Sequence, residues 1–180
     1  MQSEVSSLPH QQSTLEFTSR KPVRRPPLPE GALCTALFSR GEKVYHWSFI
    51  YPTSTKDAIK FHAVTGPDSW VYQRDDHFIA RSKHACVVVQ LNAPGSCTAD
   101  DIDRILQTIP LKNTPGTDDE PFTCRVWMRA AAAKLHESNI INCPDVDGLA
   151  EELKELANAN NQASLEGLGF TLHKSQICLL

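Results

Sequence analysis

From Ala32 onward the apolar positions fall in short runs that are rich in β-branched and aromatic residues: "ALCTALFSR", "KVYHWSFIY", "AIKFHAV", "SWVYQR" and "ACVVVQL". Runs of this length and composition predict β-strands. The linkers are turn-like: "SRGEK" carries a glycine, "PTSTKD" follows the second run, and "TGPD" separates the third from the fourth. Short linkers join antiparallel neighbours, so the pattern predicts a meander of about five strands.

After Asn92 the period changes. "CTADDIDRILQTI" offers Thr98 as an N-cap, with Ile102, Ile105, Leu106 and Ile109 on one face before Pro110. The loop "KNTPGTDDEP" leads to "FTCRVWMRAAAAKLHES", whose alanine run predicts a second helix. A third is predicted in "DVDGLAEELKELANANN" through Val146, Leu149, Leu153 and Leu156. Strands first and helices after imply an α+β domain.

Residues 1–30 read differently. "RKPVRRPPLPEG" mixes basic residues with prolines that disfavour helix and remove ladder donors, so this segment is expected to be a disordered tail ahead of one α+β domain over 31–180. The length of 180 residues suits one such domain. The N-terminus has neither a basic region nor an apolar signal core, and no run reaches the ~20 apolar residues of a membrane span. The expectation is a soluble, cytoplasmic protein. A formal charge of −3 gives no general attraction to nucleic acid. The six cysteines show no CxxC pairing, and most are expected to be buried thiols. Cys178 is third from the end rather than fourth, so no prenylation anchor is expected.

One strand contains an unexpected residue. In "VYHWSFIY", His46 shares a face with Val44, Ser48 and Ile50, while Tyr45 and Trp47 take the other. On the next predicted strand, His62 lies opposite in phase to Phe61 and Ala63, and hairpin pairing can bring the two rings onto one face. Cys124 follows Thr123, an N-cap candidate, at the start of the alanine-rich helix. There the helix dipole and Arg125 favour thiolate. Nucleophilic acyl transfer would use all three: Cys124 attacks, His46 moves the proton and His62 orients His46. Trp47, Trp70, Arg125 and Trp127 are the expected substrate-binding residues.

The chain order "HWSFIY", then "FHA", then "TCRVW" resembles the circularly permuted papain-like thiol enzymes, including the NlpC-type and lecithin:retinol acyltransferase-like proteins. Over residues 40–137 the resemblance implies a permuted papain-like fold and a small Cys-His-His acyltransferase or amide/ester hydrolase. Many members carry asparagine where this chain has Thr123. The pattern is also similar to small fungal proteins of specialised metabolism, and with them comes a second expectation: a cyclase or isomerase that folds an apolar metabolite in the same cleft without a covalent step. A noncatalytic interaction module is the third. The partner expected is a small-molecule or acyl substrate, with no cofactor. His77, His84 and Cys86 do not make up a zinc set, because no second ligand pair accompanies them. Asp118, Asp119 and Glu120 read as a solvated loop.

Overall fold

The computed structural model describes residues 23, 25–112 and 121–178. The fold is α+β: among the described residues, a six-stranded mixed sheet with three α-helices. Strands β1 (Cys34–Gly41), β2 (Val44–Pro52), β3 (Ala58–Thr65), β4 (Trp70–His77) and β5 (Ala85–Gln90) correspond to the five predicted runs. A sixth, β6 (Thr171–Lys174), pairs parallel with β5. The sheet therefore has one strand more than expected and is not wholly antiparallel. "TLHK" is too short and too polar to show as a strand by alternation alone.

The strand order is β4-β3-β2-β1-β5-β6, so the first four strands form the expected meander, but β5 pairs with β1 rather than with β4. Composition explains this. All six residues of β5, "ACVVVQ", are buried, so both faces and both edges need cover. Strand β4 carries "QRDD" exposed, and a charged strand belongs at an edge, where unpaired backbone is kept from other chains.

Helix α1 (Ala99–Leu106) is closed by a capping box between Thr98 and Asp101. In α2 (Cys124–Glu137) the Thr123 side chain accepts from the Val126 N–H, and in α3 (Val146–Leu165) Asp145 does the same for Gly148. The helices lie over one face of the sheet. Their apolar side chains, with Trp127, Met128, Leu149 and Leu153 fully or almost fully buried, join Trp47, Phe49, Phe61 and Val87 in the main core. The Trp127 ring stands 6.2 Å from Phe49 and 5.8 Å from Tyr72. Arg74 of β4 bonds Asp100 and Asp103 of α1, tying the edge strand to the helical layer.

The opposite face has a smaller apolar cluster of Cys34, Ala36, Phe38, Ile50, Ala58 and Val88. Leu28, Ile79 of a single 3₁₀ turn (Ile79–Arg81), and Phe170 complete it. Leu28 also donates its N–H to Thr55, so the last residues of the expected 1–30 tail are docked on the domain. The remainder of that tail, apart from Val23 and Arg25–Pro27, lies outside the described residues, as do Asp118, Asp119 and Glu120.

The polar run "NANN" inside α3 has a structural task. The β1–β5 register shifts between Leu37 and Phe38, which leaves Cys86 in a bulge. Asn160 donates to the freed Cys86 carbonyl at 2.7 Å and to Gly169 at 3.2 Å, while Tyr45 donates to Asn158 and Ser39 to Asn161. Replacing Asn160 by alanine leaves that carbonyl unpaired and is expected to cost about 1–3 kcal/mol in denaturant unfolding. Asn160→Asp, which has no donor to offer, is expected to be no better than alanine. Full stability in either variant would remove this role.

Candidate functional site

The strand pleat determines which side chains can meet. On β2, Tyr45, Trp47, Phe49 and Tyr51 face the helical core, and His46, Ser48 and Ile50 face the other way. On β3 the same alternation sends Phe61 and Ala63 to the helices and Ala58, Lys60 and His62 to the opposite side. The pairing Phe49↔Phe61 sets β2 against β3 so that both histidines share the helix-free face. His46 Nε2 and His62 Nδ1 are 2.7 Å apart, and their rings meet edge to face with centroids 4.9 Å apart.

A third residue completes the chain. Asp75 lies on β4, where Lys60 is its cross-strand partner and His62 pairs with Gln73. Its carboxylate reaches diagonally to His62, with Nε2 to Oδ2 at 2.9 Å. The His62 side chain is 6% exposed and Asp75 47%, so the line runs from a buried centre out to solvent.

The donors can be worked out from one end. A carboxylate only accepts, so His62 carries its hydrogen on Nε2. In the neutral ring Nδ1 then accepts, and the hydrogen between the rings belongs to His46 Nε2. That leaves a lone pair on His46 Nδ1, which has no hydrogen-bond partner among the described residues. Burial, the adjacent His62 and the cations Arg40 and Lys60 push His46 down to about 3. Burial also lowers His62, opposed by its hydrogen bond to Asp75. Both rings are therefore neutral near pH 7.

The cysteine is elsewhere. Cys124 sits in the first turn of α2 and packs against the helical core, on the far side of the sheet from His46 and His62. The expected Cys-His-His constellation is therefore corrected: two of its members meet and the third is separated by the sheet itself. The reason is that "HW" presents the tryptophan, not the histidine, to the helix layer. Trp47 and Trp127, expected at a substrate cleft, are buried in the main core at 5% and 0% exposure. Trp70 stacks edge-on against Phe122 at 5.4 Å, and Arg125 is half-buried on α2. All four thus belong to the helical side.

The other cysteines are free thiols, and every one but Cys124 is buried. Cys86 turns its thiol to the Ala157 carbonyl of α3, away from His84, which precedes β5. Among the described residues no three His, Cys, Asp or Glu side chains are arranged to hold a metal ion. No described helix is long and apolar enough to cross a membrane. The chain matches no protein-family model, no curated protein and no solved structure.

Sequence reading missed Asp75 and Lys60. The short "TGPD" turn between β3 and β4 was the available signal, because a tight hairpin places the "RDD" segment beside "KFH".

Two outcomes follow from this geometry. A histidine held neutral in the fold but protonated in the unfolded chain, near pH 6.5, lets the unfolded state bind more protons. Stability contributed by His46 is thus complete above about pH 6.5 and declines as pH falls towards 3. Denaturant midpoints measured from pH 7 to 4 are expected to drop less steeply in His46→Asn than in the wild type. Separately, Cys124 alkylation is expected to proceed at the same rate in His46→Ala, read by peptide mass spectrometry. A slower rate in that variant would put thiol and imidazole in one site after all.

Proposed function

We propose that the helix-free face is a cofactor-free acid–base site, and that the protein is a small-molecule isomerase or cyclase that works without a covalent enzyme intermediate. The observation that carries this reading is the Asp75–His62–His46 line, with its outer nitrogen left bare. Such a line moves protons. A proton taken from substrate enters at His46 Nδ1, the hydrogen on His46 Nε2 passes to His62 Nδ1, and the positive charge comes to rest on His62, where Asp75 pairs it.

This route resolves an apparent conflict. His46 alone, with its value near 3, is a poor base. In relay, the acceptor is the His62–Asp75 pair, and His46 keeps one proton throughout while changing which nitrogen holds it. The proton that entered can return through the same atom to a different position on the substrate, which is isomerisation. No thiol takes part. The acyl-transfer expectation, and the permuted papain-like arrangement behind it, require the cysteine helix and the histidine strand to face each other, and the proposal draws on neither.

The test uses 5-nitrobenzisoxazole, a neutral compound that opens on removal of one proton. The protein is expected to open it faster than the same concentration of free imidazole. His46→Gln and His62→Gln each lower that rate by about 10²-fold or more, the usual worth of a positioned base. Asp75→Asn lowers it less, and Cys124→Ala leaves it unchanged. A rate that survives both histidine changes, or vanishes with Cys124→Ala, would overturn the reading.

A further inference from the structure

Lys60 stands on the same face as the histidine pair, in the middle of β3, where a strand usually carries an apolar residue. It is half-buried, with Ile50 its partner on β2 and Asp75 its partner on β4. Its Nζ lies 5.8 Å from the centroid of the Phe38 ring, and Phe38 is in turn the β1 partner of His46. Lys60 therefore lies beside the histidines.

The ammonium makes no hydrogen bond or ion pair with a described residue. Asp75 is the natural candidate, but its carboxylate is turned to His62. Burial outweighs the attraction of Asp75 and lowers Lys60, so the ammonium is under-compensated, and the favourable solution is a further anion. Arg40, two residues beyond Phe38 on β1, adds a second positive charge that acts on His46, His62 and Lys60 alike. Neutral rings, two cations and one engaged carboxylate give this patch a positive balance. Phe38 lies buried beneath Lys60, with the His77 ring edge-on against it.

We propose that Lys60 and Arg40 form an anion-binding subsite next to His46, so that the ligand of this face is a small organic carboxylate. The inference rests on the acid–base reading for its role in catalysis, because it names which molecule is brought to the His46 nitrogen. Its binding arm does not depend on that reading. Lys60 anchors the carboxylate and Arg40 draws it in from solvent, which leaves an acidic hydrogen of the ligand within reach of His46 Nδ1. An ammonium suits the inner position, since it presents three donors to an oxygen pair.

The experiment follows the ring C–H signals of His46 and His62 by NMR while benzoate or benzamide is added to the full chain. The two probes have the same shape and differ in charge. Benzoate is expected to move both signals saturably, and benzamide to leave them in place. Lys60→Met weakens benzoate binding by about tenfold or more, the size of one charge-assisted hydrogen bond, and Lys60→Arg restores most of it. Arg40→Gln, at an exposed position where folding is not at stake, weakens binding by a smaller factor. Equal response to both probes, no saturable shift, or unchanged binding in Lys60→Met and Arg40→Gln would overturn the subsite. Failure here with the benzisoxazole result intact removes only the ligand class. Failure there with benzoate still bound leaves an anion-binding face without proton transfer.

Discussion

Strand β2 runs through the interior of the sheet, and its two-residue pleat sorts everything else. Tyr45, Trp47, Phe49 and Tyr51 go to the side that the helices cover, where Phe49 meets Trp127 and Phe61. His46, Ser48 and Ile50 go to the other side. A slip of one residue against β3 would carry Tyr45, Trp47, Phe49 and Tyr51 out of the core and His46 into it, away from His62. The packed Phe49–Phe61–Trp127 group therefore holds the register, and the register holds the histidine pair. The polar site exists because the apolar one cannot move.

On the site face the electrostatics follow from partial burial. His46 and His62 are screened enough from water to favour their neutral forms, and Arg40 and Lys60 press the same way. Asp75 works against this from a half-exposed position, giving His62 an anion to lean on without dragging a second charge into the interior. Opposed influences of this kind are what the proposed relay requires, since neither ring then holds a proton deeply. The helical side, by contrast, is closed and apolar. Its polar groups, such as the asparagines of α3, are used to quiet a bulge and the ends of strands.

Much of this could be read from the chain. The five runs between Ala32 and Leu91 became strands within a few residues of their expected bounds, and Thr98 and Thr123 cap their helices as expected. The facing of His46 and His62 was legible as a possibility, since period-two alternation placed each with its strand phase. Strand β6 was not legible, because a four-residue run of mixed polarity carries no period. Nor was the position of β5, since pairing with β1 in place of β4 depends on which edge has room and cover. Cys124 was misplaced for a related reason. A helix start was recognised correctly, but a sequence does not state which face of a sheet its helix will cover.

By itself the sequence determined what is local: strand and helix type, capping, the polarity of each strand face, and the presence of two ionisable rings where apolar residues are usual. These depend on contacts within a few residues and on a fixed backbone period. Only the tertiary structure decided the long-range matters: that Asp75 reaches His62 across a hairpin, that its carboxylate bonds His62 rather than Lys60, and that the sheet stands between Cys124 and His46. Register and layer order settle these, and both are set by the fit of whole faces against one another, a property that no single segment carries.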